Sequence, residues 1–195
     1  KSIILNIPAV DSLSVFSSSE IKILNEKISD LHLKKAINES NLMDSLDGYE
    51  IIQKLITGYK LDNKILTSDP LGNYGNSLSL NYYKFAVKQN YSKTLLSLFN
   101  DLDIDVENFL PTPLSSALST LNNDDKSLGA ICIDLGAGSS SIALFENEKI
   151  IYMDSISIGG NNITIDIARG IPTTLNSAER LKTLYGSVLS SPSDE

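Results

Sequence analysis

A short glycine turn between two strand-like runs constrains this chain more than any other feature. It lies in the segment Asp134-Leu135-Gly136-Ala137-Gly138-Ser139-Ser140-Ser141. Small residues allow a tight hairpin whose successive backbone N–H groups face a concavity, and such a concavity binds phosphate. An acidic residue at the end of the incoming strand, Asp134, is placed to hold a hydrated Mg²⁺ beside that phosphate. On this local pattern alone, a structural hairpin and a phosphate-binding loop fit equally well.

The residues around the glycines exclude two common nucleotide-binding motifs. A dinucleotide fingerprint needs a third glycine and a helix directly after the turn. Here residues 140–145 have the pattern of a strand. A Walker loop needs Gly-Lys followed by Ser or Thr, and this tripeptide is absent from the sequence. Neither motif therefore explains the hairpin.

Composition excludes several classes of function. The 195 residues are 42% hydrophobic and 21% charged, which is typical of a globular protein. A net charge of −8 argues against binding to nucleic acid. The single cysteine, Cys132, and the single histidine, His32, exclude an internal disulfide and the usual zinc sites. No apolar run approaches the ~18 residues of a membrane span. Because the chain starts at Lys1 without a leader sequence, we expect a piece of a longer cytosolic protein.

The first half of the sequence, up to a seam near residues 122–125, predicts a compact α+β unit. Strands are expected at 3–5, 13–16, 49–56 and 78–87, and helices at 33–40 and 92–102. Tyr82 and Tyr83 fall on opposite faces of one strand, so at most one of them is expected in a core. Ser92 is expected to cap the second helix, and its stripe of large apolar residues is expected to pack: Leu95, Leu98, Phe99 and Leu102.

The second half predicts three consecutive strands, at 130–135, 140–145 and 149–158, followed by two helices. Asn161 or Asn162 is expected to cap the first helix, which ends at Gly170. Asn176 with Glu179 three residues later forms a capping-box pattern for the second helix. The whole chain is therefore expected to be a mixed α+β or α/β protein.

This order of elements resembles the second nucleotide-binding half of the actin, sugar-kinase and heat-shock chaperone ATPase superfamily. More narrowly, the sequence is similar to the FtsA family of bacterial cell-division actin homologues. The family's phosphate-2 motif, Asp-Ile-Gly-Gly-Gly-Thr, is matched by residues 134–139. Its Gly-Asn-x-x-Thr-x-Asp-Ile-Ala run is matched within residues 159–168, and its Ala-Glu-x-x-Lys helix by residues 178–182. The resemblance implies an actin-like (ribonuclease H-like) ATPase core fragment with an inserted small α+β subdomain.

The first half agrees with the inserted subdomain of that family, called 1C. The turn Asp69-Pro70-Leu71-Gly72 with Tyr74-Gly75, and the segment Phe109-Leu110-Pro111 with Ser115-Ser116-Ala117, are similar to the family's sequences at these places. The resemblance implies three parts. Residues 1–110 correspond to 1C, residues 111–127 to a connecting helix of subdomain 1A, and residues 128–195 to the front of subdomain 2A.

The resemblance also implies a site for ATP with Mg²⁺. Asp134 is the expected metal ligand, and the expected nucleotide-binding residues are Asp134, Gly136, Ala137, Gly138, Ser139, Gly159, Gly160, Asn161, Glu179 and Lys182. Ala137 replaces a glycine that is usual in the family, and Ser141 replaces an acidic residue that is often present. No catalytic residue is identified, so we expect nucleotide binding with weak or no hydrolysis.

In the FtsA family this fold tethers the tubulin-like FtsZ ring to the inner face of the cell membrane at the division septum. The resemblance therefore implies FtsZ and later division proteins as partners, and self-association into actin-like filaments. Membrane attachment is expected through a segment outside this sequence. The type IV pilus inner-membrane adaptor PilM, with a similar core, is the alternative. A sugar or acetate kinase is a weaker one, because no carboxylate base lies near the hairpin.

Overall fold

The elements follow one another in nearly the predicted order. The structure, a computed structural model, describes residues 2–42, 45–66 and 69–189. The elements are β1 (Ser2–Ile7), β2 (Leu13–Lys27), α1 (Asp30–Leu42), β3 (Tyr49–Leu61), β4 (Lys64–Leu66), β5 (Tyr74–Lys88), α2 (Gln89–Asn100), β6 (Asp105–Pro111), α3 (Thr112–Thr120), α4 (Asn123–Leu128), β7 (Ala130–Leu135), β8 (Ser140–Glu146), β9 (Lys149–Ile156), α5 (Gly160–Gly170) and α6 (Leu175–Tyr185). The mixed α+β class is confirmed.

The central strand of the largest sheet is β5. The sheet has the order β2-β5-β3-β4, and β5 runs antiparallel to both of its neighbours. Side chains alternate along the strand, so Leu80 and Tyr82 lie in one apolar cluster while Tyr83 and Phe85 lie in another. The expectation that at most one of the two tyrosines is buried is wrong, because Tyr82 is 1% exposed and Tyr83 is 0% exposed. Both faces of β5 are covered.

The two clusters are covered by different elements. Ala36 of α1 packs with the face that carries Tyr82. The opposite cluster joins Tyr83 and Phe85 to residues of β1, β6, α3, β8 and β9. Here the Tyr83 hydroxyl accepts a hydrogen bond from the Met153 backbone N–H (2.7 Å) and donates one to Ser14 Oγ (2.6 Å). Burial raises the pKa of Tyr83, because the charged phenolate is disfavoured away from water.

Helix α2 differs from the sequence prediction in its start and in its buried face. Because β5 continues directly into the helix, Lys88 takes the N-cap position and Ser92 lies inside the first turns. The buried Ser92 hydroxyl bonds instead to the Glu50 carboxylate and the Gln89 carbonyl. The predicted packing stripe is only partly correct, since Leu95 reaches the core while Leu98 is 56% exposed.

The described residues form two compact units. The first unit comprises residues 2–134 and 141–155, and the second comprises residues 135–140 and 156–189. A two-stranded parallel sheet, β1-β6, and the three-stranded sheet, β7-β8-β9, complete the strand pairing. The three-part division predicted from sequence stays a prediction, and the last six residues of its third part lie outside the described residues.

Candidate functional site

The glycine hairpin, residues 136–139 of the second unit, is closed by a hydrogen bond from the Gly136 N–H to the Ser139 carbonyl (2.9 Å). Ala137 has no positive φ angle, so alanine fits the backbone where the related family usually has glycine. Within the described residues, the N–H groups of Ala137, Gly138 and Ser139 make no hydrogen bond. The hairpin therefore keeps three neighbouring donors for an anion, and this arrangement fits a phosphate group.

The first turn of α5 is attached to this hairpin. The N–H groups of Gly160 and Asn161 donate to the carbonyls of Gly136 (3.0 Å) and Ala137 (2.8 Å). A Cβ atom at Gly159 would lie 2.5 Å from both of these carbonyl oxygens, so only glycine allows the close approach. The carbonyl oxygens of the hairpin thus satisfy the helix N-terminus, and the hairpin N–H groups stay available.

The capping of both helices differs from the sequence prediction. Gly159 occupies the N-cap of α5. Asn162 does not cap the helix but lies inside it, and its Oδ1 accepts a hydrogen bond from the Gly159 N–H (2.9 Å). In α6 the N-cap is Thr174, whose hydroxyl accepts from the Ser177 N–H (3.2 Å). Asn176 is therefore not a cap. Glu179 does not take part in the predicted capping box, and its carboxylate contacts Thr164 of α5 instead.

Glu179 and Lys182 of α6 form a polar network with α5. Lys182 Nζ lies 2.7 Å from Glu179 Oε2 and donates to Thr164 Oγ1 (2.9 Å) and the Gly160 carbonyl (3.1 Å). The Thr164 hydroxyl donates to Glu179 Oε2 (2.5 Å). The hydrogen bond from Lys182, followed by that from Thr164, holds the pKa of Glu179 below its usual value of 4.5. The carboxylate is thus charged at neutral pH.

A cavity of about 310 Å³ lies between α5 and α6. Its lining combines amide, hydroxyl and carboxylate groups with apolar side chains: Asn161, Thr164, Ile165, Leu175, Asn176 and Glu179. Such a mixture suits an organic ligand with a flat apolar body and a few polar groups. The second unit therefore holds an anion-binding turn and a partly apolar cavity, with α5 extending from the first to the second.

Asp134 lies in the first unit, where its Oδ2 accepts a hydrogen bond from the Ser116 hydroxyl of α3 (2.6 Å). Ser141 of the same unit is buried, and its Oγ has no hydrogen-bond partner among the described residues. Among these residues, no three His, Cys, Asp or Glu side chains gather as a metal site. The donor set at this strand end is therefore one carboxylate with the hydroxyl bonded to it, and Asp134 as a ligand of hydrated Mg²⁺ stays a prediction.

The described part of the chain contains no helix whose length and apolar character are sufficient to cross a bilayer.

Two family models match the chain. The model of cell division protein FtsA matches residues 131–195, and that of the SHS2 domain inserted in FtsA matches residues 12–84. The chain is 32% identical, over its whole length, to cell division protein FtsA of Agrobacterium fabrum, and 30% identical to that of Rhizobium meliloti. The chain belongs to the FtsA family. It spans 44% of the length of each of these two relatives.

Solved structures support the fold. The chain is similar to a chain of the PilM–PilN type IV pilus biogenesis complex, with a TM-score of 0.56 and 15% sequence identity. The likeness covers 89% of this chain and 48% of the other. It confirms the actin-like ATPase core with an α+β insertion, and at this identity it supports the fold alone.

The sequence predicted the hairpin, Gly159, Glu179 and Lys182 as site residues, and it did not indicate two residues whose side chains bond to predicted site residues. Ser116 precedes Asp134 by 18 positions, and Thr164 precedes Lys182 by the same number. Thr164 lies in the Gly-Asn-x-x-Thr run quoted above, so a signal was present there. Ser116 lies in the Ser115-Ser116-Ala117 segment, which resembles the family, but nothing in that segment indicates a partner 18 residues later.

Proposed function

We propose that the second unit binds ATP with Mg²⁺. The observation that carries the proposal is the pairing of three unoccupied N–H groups at residues 137–139 with the cavity between α5 and α6. Phosphates would lie against the hairpin, and the nucleoside would enter the cavity. The positive end of the α5 dipole favours the negative charge of the phosphates at the same end of the unit.

In this proposal Asp134 holds the metal ion, through water, and the Ser116 hydroxyl keeps the carboxylate in one orientation. A bound Mg²⁺ neutralises phosphate charge. Gly136 and Gly159 allow the backbone to come close, and Gly160 joins the hairpin to Lys182 through its N–H and its carbonyl. Glu179 accepts hydrogen bonds in the cavity, and the network around Lys182 supports it. No side chain here is assigned as a general base, so the proposed activity is binding that selects a conformation, with weak or no turnover.

At the level of the cell, we propose that the full-length protein links the FtsZ ring to the inner face of the membrane at the division septum. In this proposal it also recruits later division proteins and self-associates into actin-like filaments. Membership of the FtsA family supports the proposal. A pilus adaptor of the PilM type and a kinase of the same superfamily would share the fold but not the binding to FtsZ.

Co-pelleting of the full-length protein with FtsZ polymers and lipid vesicles, with and without ATP, tests this role. Asp134→Ala removes the proposed metal ligand, and Asp124→Ala in α4, an exposed position, is the matched control. We expect ATP-sensitive co-pelleting with FtsZ that weakens only in the Asp134 variant. Direct ATP titration by calorimetry, with and without Mg²⁺, measures the site itself.

The outcomes separate the candidate functions. ATP binding without co-pelleting would favour a pilus adaptor and overturn the division role. Turnover of ATP with a sugar or acetate would favour a kinase. If the wild-type protein binds neither ATP nor FtsZ, the hairpin is a structural turn, and the resemblance then describes the fold alone.

A further inference from the structure

Thr164 occupies an unusual position for a polar residue of α5. It is only 6% exposed, and its hydroxyl contacts both charged groups of the α6 pair. A hydroxyl has one proton to donate. The closer and charged acceptor is Glu179 Oε2 at 2.5 Å, and the Gly160 carbonyl lies farther away at 3.2 Å. The Thr164 hydroxyl therefore accepts from Lys182 while it donates to Glu179.

The Lys182 ammonium is fully engaged within the protein. It has three N–H donors, and three acceptors surround it: Glu179 Oε2, Thr164 Oγ1 and the Gly160 carbonyl. Its side chain is 23% exposed and does not line the cavity, whereas Glu179 is 50% exposed and does. The geometry assigns the contact with a ligand to Glu179 and an internal supporting role to Lys182.

The Gly160 carbonyl extends the network towards the hairpin. Gly160 receives the Lys182 hydrogen bond at its carbonyl and donates its own N–H to the Gly136 carbonyl (3.0 Å). Lys182 therefore connects the cavity end of the unit to the anion-binding end in two hydrogen bonds.

We infer that Thr164 is a positioning residue of the nucleotide site, one that holds the Glu179 carboxylate towards the cavity and fixes Lys182 beside it. This inference rests on the proposed function. Valine matches the shape of threonine but has no hydroxyl, so Thr164→Val removes both hydrogen bonds while it fills the same space. Thr164→Ser keeps the hydroxyl and loses only a methyl group.

The first test is a titration of the full-length protein with a fluorescent ATP analogue between pH 3 and pH 8, a range that extends below the usual pKa of Glu179. We expect Thr164→Val to weaken binding about tenfold, the loss typical of a hydrogen bond to a charged group. Thr164→Ser should bind within about twofold of wild type. Thr94→Val in α2, which removes an exposed hydroxyl bonded to the Asn90 carbonyl, is the matched control and should bind as wild type does.

The pH profile separates positioning from simple support of the fold. Wild-type affinity should fall at low pH when Glu179 becomes protonated. In Thr164→Val this fall should move to higher pH, because one hydrogen bond that lowers the pKa of Glu179 is gone. An unmoved pH profile, or a serine variant as weak as the valine variant, would overturn the inference.

A second measurement distinguishes failure of this inference from failure of the proposed function. The pKa of the Glu179 carboxyl can be measured by NMR on selectively ¹³C-labelled protein without nucleotide. We expect a higher pKa in Thr164→Val than in wild type. An unchanged value would overturn the positioning role even if ATP binds. Absence of ATP binding in wild type, with the expected rise in pKa, would reject the nucleotide site and retain the network.

Discussion

The two units of this protein are stabilised in different ways. In the first unit, apolar side chains cover both faces of β5, and large residues such as Tyr83 and Phe85 are fully buried. In the described part of the second unit, the buried side chains are only Ala178 and Thr164, while Ile163 and Leu184 are more than half exposed. Hydrogen bonds between the hairpin, α5 and α6 hold that unit.

The hairpin and the cavity thus lie in the unit that has fewer buried side chains. Regions with few buried apolar contacts open at lower free energy than cores do. A ligand that contacts both the hairpin and the cavity would therefore add a large fraction to the free energy of unfolding of the second unit.

The largest effect is expected in the apolar core. Phe85→Ala should lower the free energy of unfolding by about 3–5 kcal/mol, because the change leaves a cavity in a fully packed cluster. Urea unfolding of the full-length protein measures the loss. Leu98→Ala, at an exposed position of α2, is the control and should change stability by less than about 0.5 kcal/mol. Equal losses in the two variants would contradict the account of the first unit.

The next effect is expected at the junction of α5 and the hairpin. Gly159→Ala should cost about 1–3 kcal/mol and weaken nucleotide binding, because the new Cβ meets two backbone carbonyl oxygens and forces them apart. Gly170→Ala places its Cβ in open space and should be neutral or slightly stabilising. Calorimetric titration measures nucleotide affinity, and thermal unfolding measures stability, for each of the two variants. If the two variants bind alike, the hairpin and α5 do not act together.

A smaller effect is expected from the buried hydroxyl of the first unit. Tyr83→Phe should cost about 1–2 kcal/mol, since the buried Met153 N–H loses its acceptor. The pKa of Tyr83 lies above its usual value of 10.0. Wild type should therefore lose stability as the pH rises from the pKa of the unfolded state through that of the folded state. Tyr83→Phe should show a smaller loss, since the pKa values of Tyr59 and Tyr152 are raised as well.

Urea midpoints at pH 7 and pH 11 check this prediction. Tyr152→Phe, at an exposed hydroxyl that bonds to Asp154, is the control and should keep wild-type stability at pH 7. Parallel pH dependence in wild type and Tyr83→Phe would show that this hydroxyl does not contribute.

The smallest effect on stability is expected at Glu179. Hydrogen bonds from Lys182 and Thr164 lower its pKa, so the carboxylate stabilises the fold above pH 4.5, and this contribution is lost as pH falls through the lowered pKa. Glu179→Gln has no carboxylate, so it lacks this stabilisation at every pH. The difference in thermal midpoint between wild type and variant should therefore shrink on acidification. Glu107→Gln, exposed on β6, should show no such change. A constant difference would contradict the network.

Much of the architecture could be predicted from local pattern. Alternation along β5 predicted which residues share a face, and small residues predicted the tight turn at 136–139. The capping residues could not be predicted, because several Ser, Thr and Asn side chains precede each helix. Which of them caps it depends on the path by which the chain enters. Gly159 is the N-cap of α5 because the hairpin approaches the helix there, and Thr174, not Asn176, is the N-cap of α6.

Residue type and spacing along the chain were sufficient to predict the family, most of the strands and helices in their order, and the tight turn at 136–139, but not β4 or α4. The burial of both Tyr82 and Tyr83, the bond from Ser116 to Asp134 and the network around Thr164 were decided only by the tertiary structure. The physical reason is that burial and side-chain hydrogen bonds depend on which distant elements pack together, and periodicity within one element carries no information about its partner.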